Sequence, residues 1–209
     1  MKALQILPTT YFPWAVDLSV CVPDGKVSEE QFYAFCQNNP DLRIERLATG
    51  EVIVMPPVFS DTSNRNAKIA QQVGNWAESD GMGEVFDSST GFTFPNGAIR
   101  SPDVSWILLE RWNQLSDEQK ASFAPICPDF VVELRSSSDT LTSDTLKGLQ
   151  EKMAEYIENG VRLGLLVDRK NKTVHVYRPG RSPQIFENPE TVDCSPELPG
   201  FSLKLKRIW

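Results

Sequence analysis

Histidine is nearly absent from this chain of 209 residues, with His175 the sole example, and cysteine is sparse, at Cys21, Cys36, Cys127 and Cys194. No two cysteines stand in a CxxC pair and no histidine cluster accompanies them, so a cysteine-rich zinc centre is not expected. A lone histidine without evident carboxylate partners reads as a strand residue rather than a catalytic acid or base. The first twenty residues are interrupted by Pro8, Pro13 and Asp17 and lack the apolar core of a secretory signal. Together with the scattered cysteines, this gives the expectation of free thiols in a reducing compartment, the cytoplasm. No run approaches the ~20 apolar residues that a membrane helix requires, so no membrane partner is expected. Positive charge is also short: 21 Lys and Arg face 28 Asp and Glu, for a net charge of -7. The long-range field therefore repels polyanions, and any chemistry on nucleic acid must rest on a local site.

What the chain does have is an ordinary globular balance, 40% hydrophobic and 23% charged, enough for one α/β core. Residues 1–27 mix prolines and aromatics without a usable period and read as an N-terminal extension packed on a domain spanning 28–209. Ser28 caps a helix on which Phe32, Phe35 and Cys36 recur at helical spacing, ending near Asn38 to Pro40. LRIERLA (42–48) and EVIVM (51–55) form a hairpin stopped by Pro56 and Pro57. Ile69, Val73 and Trp76 mark an amphipathic helix closing near Gly81. Short strands follow, the last running from Asp103 to Leu109, and then a surface excursion with a short helix over 116–123. PDFVVELR (128–135) is a strand, and Ser136, Ser137 and Ser138 are read as caps for the helix after it. That helix carries an apolar stripe of Leu146, Leu149, Met153, Tyr156 and Ile157, with Gly160 as its stop. VRLGLLV (161–167), apolar on both faces, reads as a buried central strand parallel to 129–135. TVHVY (173–177) is a further strand, and the remainder is loop followed by a short terminal strand in FSLKLKRIW.

Chemistry concentrates in the second half. The two-residue period of PDFVVELR puts Val131, Glu133 and Arg135 on one face, so a glutamate lies inside an apolar strand. If the strand beginning at Asp103 runs antiparallel beside it, Asp103 and Glu133 converge at one sheet edge. Two such carboxylates repel unless a cation lies between them, and a hard, oxygen-lined site with few protein ligands suits Mg²⁺. The following helix offers two lysines. Lys147 lies roughly 140° from the centre of the apolar stripe and faces water, whereas Lys152 lies roughly 80° away and leans toward the sheet. A desolvated lysine beside a metal can lower its pKa and orient a hydroxide, while Arg135 suits a phosphate oxygen.

SPDVSW, PDFVVELRSSSD, LQEKMAEYIENGVRLGLLVD and VYRPG resemble the restriction-endonuclease family called Uma-two, formerly of unknown function, over a stretch from about residue 40 to the C-terminus. The resemblance implies membership of the PD-(D/E)XK nuclease superfamily, a restriction-endonuclease-like fold with a mixed central β-sheet flanked by helices, and a Mg²⁺ cofactor that Mn²⁺ can replace. DNA is the implied substrate class, and homodimers are common in that superfamily. The usual motif has lysine two residues after the second acid. This chain has Arg135 there, and the family's lysine, moved to the next helix, matches Lys152. An acid in the early hairpin matches Glu45, an implied accessory metal ligand.

The resulting expectation is a metal-dependent endonuclease with Asp103 and Glu133 on the metal, Lys152 orienting the attacking water and Arg135 steadying the phosphate. The rival reading is a non-catalytic nucleic-acid or protein interaction module on the same scaffold. In that reading Glu133 pairs with Arg135 or Arg100 and Lys152 snorkels along the apolar stripe. A two-carboxylate glycoside hydrolase would need a cleft that the chain shows no sign of forming. Trp76, Trp106 and Tyr156 are assigned to packing.

Overall fold

Strand β7, Phe130–Arg135, lies at the centre of a six-stranded mixed sheet in the order β10-β9-β8-β7-β6-β3. Its neighbour β8, Leu163–Asp168, runs parallel to it, and β6, Val104–Leu108, runs antiparallel. Both central strands are buried on both faces, which is why VVEL and LGLLV read as nearly continuous apolar runs. The outer strands are β3, Gly83–Asp87, β9, Thr173–Tyr177, and β10, Gln184–Glu187. The computed structural model describes residues 26–55, 57–135 and 145–209. Residues 1–25 of the expected extension and the serine caps at 136–138 lie outside them.

Two long helices cover the sheet. Helix α2, Ser60–Asp80, packs Ile69, Val73 and Ala77 against Trp106, Phe130, Val132 and Leu165. It ends where Gly81 takes φ +71, a left-handed cap that a side chain would disfavour. Helix α5, Leu146–Glu158, packs Leu149, Met153 and Tyr156 against the opposite face, over Val131 and Leu166. Thr145 caps it, its side chain accepting from Gly148 N. A Cβ on Gly164 would come within 2.4 Å of the Met153 methyl, so the bare backbone of β8 is what lets α5 sit this low. This close seating matters because Lys152 is next to Met153.

Beside the central sheet lies a four-stranded one, β2-β1-β5-β4. The hairpin of β1, Arg43–Arg46, and β2, Val52–Met55, is shorter at its turn than the sequence pattern predicts, closing through Leu47, Gly50 and Glu51. Short strands β4, Phe92–Thr93, and β5, Ile99–Arg100, complete it. Helix α1, Glu29–Asn38, buries Phe32 and Phe35 against this sheet and begins with a reciprocal capping box between Ser28 and Gln31. The excursion after β6 holds a short helix within the expected 116–123, α4, Asp117–Lys120, capped by Ser116, and a further one-turn helix before it, α3, Leu109–Trp112. The terminal strand β12, Ser202–Lys204, pairs with β11, Thr191–Asp193. Both β10 and β11 fall in a region whose sequence reads as loop. The four residues of β10 are all exposed, so no buried face imposed the alternation by which strands are recognised. No helix among the described residues is long and apolar enough to cross a membrane.

Candidate active site

The antiparallel register that opposes Val104 to Val132 brings Asp103, one residue before β6, opposite Glu133. Asp103 is fixed at this edge from three sides. Its Oδ2 accepts Leu134 N of β7 at 2.8 Å, and its Oδ1 accepts Asn66 Nδ2 of α2 at 2.9 Å. Arg43 of β1 adds an ion pair at 3.4 Å. Glu133, only 4% exposed, projects to the α5 side of the sheet.

There it meets Lys152. The ammonium lies 2.9 Å from Glu133 Oε1 and 2.9 Å from Glu45 Oε1. Tyr156, one helical turn further on, donates its hydroxyl to the same Glu133 oxygen at 2.6 Å. Glu45 is held in turn by Ser101 N at 3.0 Å and by Arg100 Nη1 at 3.0 Å, while Arg100 Nε donates to Glu155 at 2.7 Å. The chain Glu133, Lys152, Glu45, Arg100, Glu155 therefore alternates in sign from the central sheet through α5 to the small sheet and back to α5.

The protonation of this chain follows from burial and charge order. Burial pushes the Glu133 carboxyl up to about 7, reinforced by the nearby charges of Asp103 and Glu45 and opposed by Lys152 and the Tyr156 hydroxyl. Burial also works against ionised Glu45, but Lys152 and Arg100 overcome it and leave its pKa below the ordinary value. For Lys152, burial disfavours the ammonium, yet Glu133 and Glu45 outweigh it and raise its pKa. In the metal-free chain two carboxylates thus clamp it as a cation.

Arg135 also has a partner that sequence reasoning missed. It does not reach Glu133; its Nη1 lies 2.8 Å from Oδ2 of Asp168, the residue opposite it in β8. Arg100 likewise serves Glu45 and Glu155, so neither arginine makes the ion pair with Glu133 that the non-catalytic reading supposed. Lys147 pairs with Glu151 at 3.7 Å on a well-exposed surface, as its place on the helix wheel predicts. His175 lies within a strand, near Thr173. Tyr156 is a packing residue with a second task, and its i+4 spacing from Lys152 was the available signal. Asn66 carried none, since a polar residue on a long helix is ordinarily solvated.

The donor chemistry at this edge can be weighed against a divalent ion. Asp103 and Glu133 supply two hard carboxylates, and among the described residues Glu133 Oε2 has no hydrogen-bond donor. Beside Asp103, the buried carbonyl oxygen of Asn66 is also unpartnered. Two carboxylates suit Mg²⁺, which keeps most of its water shell. Glu45 fits less well as a ligand, because both of its oxygens already accept hydrogen bonds from protein donors. Among the described residues no cluster of three or more His, Cys, Asp or Glu is arranged to hold a metal by itself. Around the same edge, guanidinium N–H groups are buried without acceptors: Arg43 Nε, Arg65 Nε, Arg135 Nε, and Nε and Nη1 of Arg169. Such groups are costly to leave unpaired, and they are suited to anionic oxygens.

A family model described as "Putative restriction endonuclease", that of Uma-two, matches residues 29–206. The chain belongs to the Uma-two family. A crystallised protein from Anabaena variabilis, described as a "putative nuclease", superposes with a TM-score of 0.65 at 19% sequence identity, covering 79% of this chain and 88% of that one. At that identity the likeness shows the fold alone: this Uma-two protein has the mixed sheet and flanking helices of the restriction-endonuclease-like class. No curated protein matches the chain.

Proposed function

We propose that this Uma-two protein is a metal-dependent endonuclease that hydrolyses DNA phosphodiester bonds. The observation carrying the proposal is the meeting of Asp103 and Glu133 at one strand edge with Lys152 against Glu133. Asp103 and Glu133 would hold Mg²⁺, or Mn²⁺ in its place. When bound, the ion supplies Lewis acidity toward a phosphate oxygen and toward water.

The protein's own groups do the rest. Lys152, kept cationic by Glu45 and Glu133, acts as a fixed hydrogen-bond donor that orients the attacking water and stabilises negative charge on the phosphorane-like transition state. It is not a general base. Tyr156 and Lys152 both donate to Glu133 Oε1, which leaves Oε2 as the oxygen turned to a ligand. Glu45 and Arg100 anchor Lys152 rather than touch the metal. Arg135 and the spare N–H groups of Arg43, Arg65 and Arg169 steady the phosphate, with Asp168 orienting the Arg135 guanidinium.

The rival, a non-catalytic interaction module, draws support from the saturation of Lys152 by two carboxylates and from the acidic net charge. Incubating supercoiled plasmid with the protein and Mg²⁺ or Mn²⁺ separates the two. Nicking that needs the metal and falls ~100-fold or more in Asp103→Asn supports the enzyme. Intact plasmid under every metal condition would leave the module.

A further inference from the structure

On the α2 side of the sheet, remote from Glu133, a groove of about 550 Å³ runs between α2 and β12 with its flanking turns. Its charged lining residues are Lys68, Lys204, Lys206 and Arg207, without a single carboxylate. That is a marked local excess in a chain with 28 acidic and 21 basic residues. None of the four has an ion-pair partner among the described residues, and Lys204, Lys206 and Arg207 are exposed. The walls are locked together: Gln72 donates to Lys204 O at 3.1 Å and accepts Lys204 N at 2.8 Å, as another strand would.

One face of α2 runs from the groove toward the Asp103 edge. Asp61, Arg65, Lys68 and Gln72 succeed one another at i, i+4, i+7 and i+11, which is a single helical face. At its first end Asp61 takes Arg65 at 2.5 Å and Arg169 at 2.6 Å, and it also feels the charge of Lys68. Next to Arg65, Asn66 holds Asp103. From Asn66 to Asn75, at the far end of the groove, the helix rises ~14 Å, roughly the length of four base pairs.

We propose that this groove is a second nucleic-acid contact, binding the phosphate backbone of the substrate within about four base pairs of the scissile position. The proposal rests on the endonuclease reading of the Asp103 edge. It resolves the conflict between that reading and the net charge of -7: a contiguous basic strip supplies the local attraction that the whole molecule lacks. Exposed Lys204, Lys206 and Arg207 suit phosphate contacts, which position the substrate without selecting sequence.

The test is fluorescence anisotropy in chelator with a duplex of roughly 30 base pairs, comparing the native chain with a combined Lys204→Gln, Lys206→Gln, Arg207→Gln variant over a salt series. The expected result is ~10-fold or greater loss of affinity, and a salt slope shallower by roughly 2–3. Metal-dependent nicking of a duplex too short to reach the groove should be unchanged. Lys68→Glu, on the other wall, repeats the binding measurement should the triple variant not fold. Native affinity and slope in both variants, with nicking still lost in Asp103→Asn, would overturn the groove and leave the endonuclease reading standing. A variant that alters self-association alone would instead make this face a contact between copies and overturn the proposal. Absence of both binding and nicking in the native chain would remove the endonuclease reading, and the groove with it.

Discussion

The ammonium of Lys152 lies 2.9 Å from Glu133 Oε1, and through its second contact, to Glu45, one side chain of α5 joins the central sheet to the small sheet. Removing it leaves two buried carboxylates facing each other. Lys152→Met should therefore destabilise the fold by about 3–5 kcal/mol, as breaking a buried pair does. Adding Glu133→Gln should restore part of the loss, because one uncompensated charge goes with it. Urea unfolding of the single and double variants measures both. If Lys152→Met costs under about 1 kcal/mol, Lys152 does not hold the two sheets together.

Tyr156 shares the Glu133 oxygen with Lys152, so Tyr156→Phe removes one donor from a buried acceptor and keeps the ring that packs on Phe94. The cost should be about 1–3 kcal/mol. Because that hydrogen bond lowers the Glu133 pKa, its loss should move the carboxyl further above about 7. The acid limb of the nicking rate against pH should shift upward in Tyr156→Phe, whereas a ring that served packing alone would leave the limb in place.

Glu133 also sets a pH dependence in metal-free protein. Its folded pKa, about 7, is raised from the ordinary 4.5, so between these values the folded state binds more protons than the unfolded state. Its contribution is complete below pH ~4.5 and is lost as pH rises through ~7, a swing on the order of 3 kcal/mol. Glu45, with its lowered pKa, works in the opposite sense at more acid pH. In chelator, the stability of the native chain relative to Glu133→Gln should fall from pH 5 to pH 8. A flat difference across that window would mean that Glu133 titrates as an ordinary carboxylate.

Arg135 separates structural from substrate roles. Asp168 is fully buried and keeps Asn171 and two backbone N–H donors when Arg135 is removed, so Arg135→Ala should cost about 3 kcal/mol rather than unfold the chain. Arg135→Lys should recover much of the stability but not the ability to present two N–H groups to a phosphate. DNA affinity that stays low in the stable lysine variant would support the phosphate role. Full affinity in Arg135→Lys would assign the residue to Asp168 alone.

The parts of this molecule legible in its sequence are those where burial imposes a period. The α5 stripe, the apolar run from Leu163 to Val167 in β8 and the Glu133 face of β7 each follow from periodicity or continuous burial, and the Asp103 to Glu133 juxtaposition follows from one antiparallel register. What escaped was set by contacts distant in the chain. Asp168 opposite Arg135, Arg100 between Glu45 and Glu155, and Asn66 against Asp103 join elements whose relation no local pattern encodes. The clamping of Lys152 as a cation in the metal-free chain escaped for the same reason. A helix wheel gives the lysine's direction but not the second carboxylate waiting on β1. Strand β10, exposed along its length, had no apolar face to announce it.

The metal requirement can be tested without turnover. Asp103 accepts Leu134 N, Asn66 and Arg43, and an asparagine can keep some of these bonds, so Asp103→Asn should fold with a loss of about 1–2 kcal/mol. An ion that binds only the folded chain stabilises it by about 2.7 kcal/mol at a hundredfold excess over its Kd. Titrating Mn²⁺ or Mg²⁺ should thus raise the melting temperature of the native chain to a plateau and leave Asp103→Asn and Glu133→Gln unmoved. Glu45→Gln discriminates further. As an anchor of Lys152 it should lower stability yet keep the metal-dependent rise, whereas as a ligand it should lose that rise with the other two. Superimposable melting curves for the native chain with and without metal would remove Asp103 and Glu133 from any metal chemistry and leave the module reading in possession of the site.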